Sequence, residues 1–300
     1  MHSNSHEMGD KLMDKISKKY FQKLPTIPTL PIIAQEILML VEDDFVTINK
    51  IKGIIENDPA ISVRILTLAN SAYYGFGGNV KTLRDAIFRI GFNNVRYLAV
   101  GISLITLFEE TKNEKAARYE KIFIHSIATG FTTKFLAGKL SLHISDDILV
   151  MSILHDIGLL MMNRYLFEEY QKVHNLLNSS GDLLEAEKDV FGFTHPELGQ
   201  WLAEEWNLPK SISNIILYHH QPSRAHEDLR HVAIVHIADY LASKHIMRTT
   251  PEDIGYACDS YALSLLDISE DDLEVFDVQI KSYSENRLSL SNMLMNPFAG

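Results

Sequence analysis

The chain has a single cysteine, Cys258, which excludes an intramolecular disulfide framework and any metal site built on paired thiolates. A transition metal would have to be taken by imidazole and carboxylate instead. Long apolar runs are missing too. The longest, Tyr97 to Phe108, spans twelve residues between Arg96 and Glu109. A bilayer needs roughly 20, so this segment reads as a buried core helix. The first twenty residues carry several charges and no apolar stretch of the secretory kind, so a soluble, cytoplasmic protein without membrane contact is expected. Positive charge is in short supply: the formal net charge of −11 repels nucleic acid and anionic lipid overall. The loop GFGG at 75–78 is not followed by Lys and Ser or Thr, so it is no phosphate loop. Convincing period-two alternation, internal repeats and low-complexity tracts are absent as well, and a β-sheet core is not expected.

What the chain does have is helical signal. Its 300 residues, 46% of them hydrophobic, suffice for one large domain or two smaller ones. Pro31 opens a segment with Ile33, Ile37, Leu38 and Val41 on one side. Asp58 followed by Pro59 is a helix start, with Ile61, Ile65 and Leu68 on one face. Tyr73 to Val80 reads as a loop. Thr82 and Asp85 begin a helix that Gly91 ends, and Asn93 is placed to cap the next one through Phe108. In Lys81 to Val100 the basic residues Lys81, Arg84, Arg89 and Arg96 outnumber Asp85, as in a helix–turn–helix, but the acidic net charge favours an ordinary helical hairpin. The polar stretch Thr111 to Ala116 is the expected boundary between two lobes. Beyond it come a helix around His125, one through Ile148–Arg164, one capped by Thr194 and Glu197, one over Ser211–His220 and one over Leu229–Lys244. Pro222 halts the fourth of these. From Pro251 the chain reads as a helical tail, with a second capping signal at Ser269–Asp272 and a weakly ordered last ten residues.

Seven side chains within these segments carry the chemistry: His125, His155, Asp156, His195, His219, His220 and Asp239. Rigid helices could aim them at one centre, the layout of a metal site in a helical bundle core. A single histidine on an apolar helix is ordinarily a hydrogen-bonded core residue. The doublets His155–Asp156 and His219–His220, however, interrupt the apolar segments SILHDIGLL and NIILYHH. A charged aspartate buried beside leucines costs several kcal/mol unless a cation or strong donors face it. Adjacent helical residues point about 100° apart, so His155 and Asp156 can share an ion only if it sits off the flank between them, with Asp156 bridging two ions. The expected cofactor is thus one or two divalent ions of iron, manganese or zinc. His2, His6, His143, His174, His226 and His245 lie in polar surroundings and are expected to face solvent. His231 and His236 can be read either way; His236, three residues before Asp239 on the same helix face, could support the site from outside.

These same residues resemble a known family. LHDIG with an upstream histidine, then HPELG, the HH doublet and HIADYLA, is similar to the HD phosphohydrolase superfamily. LPTIPTLP, IIENDPAISVRILTLANSAYYG, VKTLRDAIFRIGFNNVRYLAVG, FGFTHPELGQWLAEEWNLP and ILYHHQP resemble its HDOD branch, from about Leu24 to Asp239. The resemblance implies an all-α fold, an HD-like helical bundle with an added N-terminal helical lobe. It divides the chain into a leader (1–23), an N-terminal lobe (24–112), a metal-binding lobe (113–245) and a C-terminal helical extension (246–300). It implies a bacterial signalling protein with a protein partner, a nucleotide as a conceivable ligand, and no nucleic acid. His125, His155, Asp156 and Asp239 match one metal position of the superfamily; Asp156, His195, His219 and His220 match its neighbour. The HD-GYP phosphodiesterases carry a lysine where this chain has Leu159, an acidic ligand where it has Lys121, and GYP where it has QPSRAHED. Little or no phosphodiesterase activity is therefore expected, with metal-dependent phosphohydrolysis of a nucleotide or cyclic dinucleotide as the alternative.

Overall fold

Short polar caps set the boundaries of the N-terminal helices in the computed structural model, which describes residues 29, 31–38, 40, 47–70, 79–107, 114–144, 148–246 and 257–281. After α1 (Ile32–Leu38), the Thr47 side chain accepts the Lys50 N–H and starts α2 (Ile48–Glu56). The Asp58 carboxylate accepts the N–H groups of Ala60 and Ile61 at 2.8 and 3.1 Å, with Pro59 opening α3 (Pro59–Ala69). Such a cap is worth about 1 kcal/mol. Thr82 starts α4 (Leu83–Ile90), which Gly91 ends at φ 96°, a backbone angle that glycine adopts without a Cβ clash. The Gly91 carbonyl also accepts the Val95 N–H, so α5 (Phe92–Thr106) starts one residue before Asn93, and Asn93 is not its cap. Ala34, Ile37, Ile51, Ile55, Ile65, Leu68, Ala86 and Leu98 pack these five helices together with no solvent exposure. Of the four basic residues of a conceivable helix–turn–helix, Arg96 is buried and Arg89 turns toward the Ala69 carbonyl, which fits the hairpin. Val41, the GFGG loop, Phe108 and the first half of the expected lobe boundary lie outside the described residues, as do His2, His6 and the last ten residues.

The second helical group is built around α6 (Glu114–Lys139), with α13 (Leu229–Ile246) packed along it. Between them in sequence come α7 (Ile148–Ile153), α8 (Ile157–Tyr165), α9 (Phe167–Ser180), α10 (Leu183–Phe191), α11 (His195–Glu205) and α12 (Lys210–Tyr218). The single helix expected over Ile148–Arg164 is instead two helices, broken at Leu154–Asp156. Its cause is the packing partner. At Gly158 a Cβ would stand 2.0 Å from the His195 carbonyl oxygen and 2.7 Å from the Gly199 nitrogen, so α8 meets the first turn of α11 backbone to backbone. The turn at Leu154–Asp156 redirects the chain between α7 and that contact. The two groups meet where α5 crosses α7: a Cβ at Gly101 would press on Val150 and Ile153 at 3.2 and 3.4 Å. Lys134 of α6 adds a hydrogen bond to Asn94 of α5 at 2.8 Å.

The C-terminal segment folds back on α13. Helix α14 (Ser260–Leu265) packs on it, and a further helix over 270–281 follows, its start held by reciprocal Ser269 and Asp272 bonds as expected. His245 of α13 reaches Asp277 at 2.6 Å and is largely buried, and His174 is half-buried against Arg118, so neither stands free in solvent as expected. Both tryptophans, Trp201 and Trp206, lie in the core. The fold is all-α, with no strand among the described residues, and no described helix is long and apolar enough to cross a membrane.

Candidate metal centre

Four separate pieces of the second helical group, together with the end of α12, deliver the seven side chains to one place. His125 comes from the middle of α6, and His155 and Asp156 from the turn between α7 and α8. His195 is the first residue of α11, fixed by a capping box in which Thr194 and Glu197 exchange bonds. His219 and His220 follow α12 as its chain turns, and Asp239 projects from α13. All but the half-buried His220 are essentially inaccessible to solvent.

Asp156 stands at the middle of the set. Its Oδ2 lies 3.2 Å from His155 Nε2 and 3.6 Å from His125 Nε2, while Oδ1 lies 3.4 and 3.5 Å from the Nε2 atoms of His195 and His219. One carboxylate thus faces two groups of imidazoles with two different oxygens. Asp239 Oδ1 joins the first group, 2.8 Å from His125 Nε2 and 3.6 Å from His155 Nε2. Three groups have all their donor atoms within 4.8 Å of one another: Asp156, His195, His219 and His220; His125, His155 and Asp156; and His155, His219 and Asp239.

The ring orientations fit a cation. His155 Nδ1 and His219 Nδ1 lie 2.7 and 2.8 Å from the carbonyls of Ser152 and Ile216. A carbonyl only accepts, so each Nδ1 carries its proton, and in the neutral ring Nε2 turns a lone pair inward. The His219 Nε2 atom is buried with no hydrogen-bond partner. Ring nitrogens meet closely, His195 Nε2 with His220 Nε2 at 3.1 Å and His125 Nε2 with His155 Nε2 at 3.3 Å. Two nitrogens bound to one ion at about 2.1 Å and usual angles stand roughly 3.0–3.4 Å apart. The donor set is the all-nitrogen-and-oxygen kind that suits iron, manganese or zinc.

The electrostatics point the same way. Burial opposes ionisation of Asp156 and Asp239, yet the surrounding imidazoles hold both carboxylates well below the usual range. Burial likewise opposes charge on His195, but Glu187 and Asp156 carry its ring up to about 9. His155 is raised well above an ordinary histidine against its burial, by Asp156 and Asp239. His219 and His220 are pushed down, by burial first and then by neighbouring rings. The pocket is therefore built to hold positive charge beside its carboxylates.

Two further residues complete it. His236 donates from Nδ1 to the His219 carbonyl at 2.6 Å and accepts the Asp259 N–H at 2.8 Å, so it supports the HH turn as expected, though through the backbone. Glu187 escaped the sequence reading. Its fully buried carboxylate takes His195 Nδ1 at 2.9 Å, the His195 N–H at 2.8 Å and the Tyr170 hydroxyl at 2.8 Å. The signal was there: Leu183, Ala186, Val190 and Phe191 form a helical apolar stripe, and Glu187 sits inside it.

A family model described as HDOD domain matches residues 27–222. A protein of Treponema pallidum (strain Nichols), named only as uncharacterized, is 25% identical over 222 residues, covering 72% of this chain and 42% of that protein. The chain thus spans about two fifths of that relative's length. Among solved structures, an HDOD domain protein of unknown function from Geobacter sulfurreducens aligns with a TM-score of 0.72 at 22% identity, over 98% of both chains. A candidate phosphohydrolase from Shewanella amazonensis aligns at 0.68 and 21% identity, over 92% of this chain and 97% of its own. A candidate signal transduction protein from Marinobacter aquaeolei aligns at 0.75 and 17% identity, over 98% of this chain and 67% of its own. Identities this low carry the fold alone.

Proposed function

The chain belongs to the HDOD domain family, and from that premise we propose a bacterial signalling protein whose second lobe binds a pair of divalent metal ions and hydrolyses cyclic dinucleotides little or not at all. The observation that carries the metal reading is the gathering of five histidines and Asp239 around Asp156, with each of the Asp156 oxygens facing a separate set of rings. His125, His155 and Asp239 would hold one ion and His195, His219 and His220 the other, with Asp156 between them. A divalent pair supplies Lewis acidity toward a phosphoryl oxygen and acidifies water. The residues of this chain then have to bind and orient the ester.

Orientation is where the site is poor. Leu159, in the first turn of α8, is buried and apolar three residues past Asp156, where a phosphate ester would need a cation. Positioning of this kind is worth several kcal/mol of barrier. The reading therefore assigns the site to binding a nucleotide or registering metal status, and passing it to a protein partner. The chain divides accordingly into a leader (1–23), an N-terminal lobe (24–112), the metal-binding lobe (113–245) and an extension (246–300). Phosphohydrolysis is the competing reading, favoured by the seven-residue donor set. Elemental analysis and turnover of the metal-loaded protein on cyclic di-GMP, linear dinucleotides and mononucleotides separate the two. We expect at least one equivalent of metal and no appreciable turnover. Turnover above roughly 1 s⁻¹, abolished by Asp156→Ala, puts the enzyme first; metal below a tenth of an equivalent after supplemented growth sinks the metal reading.

A further inference from the structure

We infer that Glu187 is the positioning carboxylate of the His195 half of the cluster, fixing that ring and adding negative charge from one layer out, so that the two halves hold their ions by separable means. The inference rests on the reading that the cluster binds metal.

A carboxylate with no solvent exposure survives only where donors surround it. Those of Glu187 are two groups of the same residue, the His195 N–H and Nδ1–H, together with the Tyr170 hydroxyl. Holding both main chain and ring at the first residue of α11 leaves His195 one orientation, Nε2 toward Asp156. The Tyr170 ring is held in turn by the Arg118 guanidinium, 4.5 Å from its centroid.

Three other imidazoles of the cluster, His125, His155 and His219, are oriented differently. His155 Nδ1 and His219 Nδ1 meet neutral backbone carbonyls, and His125 Nδ1 has no hydrogen-bond partner. Charge is shared out to match. On one side Asp239 touches His125 and His155; on the other, the four-residue donor group contains no carboxylate except the shared Asp156. Asp239 also comes within 4.8 Å of His219, so what sets Glu187 apart is that it bears on His195 itself, one residue removed from the donors. A carboxylate–histidine pairing of this sort makes the ring a better ligand, and its loss typically weakens metal binding by about 10- to 100-fold.

The test is zinc binding by the full chain, measured by calorimetry and elemental analysis, in the wild type and in Glu187→Gln, which keeps the shape and removes the charge. The expected wild type takes up two equivalents. In the variant one binding step weakens by about 10- to 100-fold and the other is unchanged. Two unaltered steps overturn the inference and leave the metal reading intact; equal weakening of both steps marks a merely structural role and also overturns it. A wild type that binds no zinc fails the metal reading itself, and this inference with it. If Glu187→Gln does not fold, histidine nitrogen–proton spectra of the zinc-loaded wild type decide. A slowly exchanging, downfield Nδ1–H on His195 supports the inference, and a freely exchanging one refutes it.

Discussion

His195 shows how a single side chain becomes a ligand rather than a core histidine. Its Nδ1 is committed to Glu187, its Nε2 faces Asp156 and His220, and burial alone would strip its charge. The two carboxylates reverse that and carry the ring up to about 9, so without metal it holds a second proton at neutral pH. A metal takes only the neutral ring, so binding must expel that proton. The sign follows: the protonated form of His195 competes below about 9, and affinity climbs as pH rises toward that value. Each proton expelled contributes up to about tenfold per pH unit. Manganese titrations between pH 6 and 9 should show this rise, with protons released to the buffer. An affinity that stays level across the range would mean that His195 carries no proton to lose.

At the scale of elements, the site is made by a broken helix. The turn at Leu154–Asp156 lets adjacent residues point to one centre, which a continuous α7–α8 helix would send about 100° apart. What holds the break is the contact of Gly158 with the start of α11. Gly158→Ala is therefore expected to act twice. The added methyl meets backbone rather than a flexible side chain, and overpacking of this kind costs about 1–3 kcal/mol or more. It also pushes His195 away from Asp156. Thermal unfolding should register the first effect and metal content the second. A variant with wild-type stability and full metal would show that the two helices can part without loss. Gly138→Ala, on the open face of α6, is the natural control, since a Cβ there meets nothing within 4 Å.

For the whole molecule, the cluster ties together α6, the α7–α8 turn, α11, the end of α12 and α13, and through His236 it reaches the segment that precedes α14. An ion bound there holds most of the second lobe at once. Anything that binds only the folded state stabilises it, by about 2.7 kcal/mol at a hundredfold excess over Kd. Stripping metal with a chelator should therefore lower the melting temperature by several degrees, by roughly 2–4 °C per kcal/mol. Readdition should restore it in proportion to metal concentration. A melting temperature indifferent to chelator and to added manganese or zinc would argue that the cluster is satisfied by its own protons.

Much of this was legible in the chain. The caps at Asp58, Thr82, Thr194 and Ser269 act within one turn, so local residues determine them without help from the rest of the fold. The seven candidate ligands stood out because histidine and aspartate interrupted apolar segments, and burial of such groups demands partners wherever the chain goes. Three things were decided only in three dimensions. The α7–α8 break depends on a glycine meeting the backbone of another helix, and periodicity carries no record of that contact. His174 and His245 look solvated in sequence but lie against Arg118 and Asp277, 56 and 32 residues distant. Glu187 looked like one acidic residue among several in LLEAEKDVF. Its role depends on α10 setting that carboxylate under a histidine eight residues on. Local hydrogen bonding and hydrophobic period are written in neighbouring residues, whereas which buried charge meets which ring is fixed by helices packing across the core.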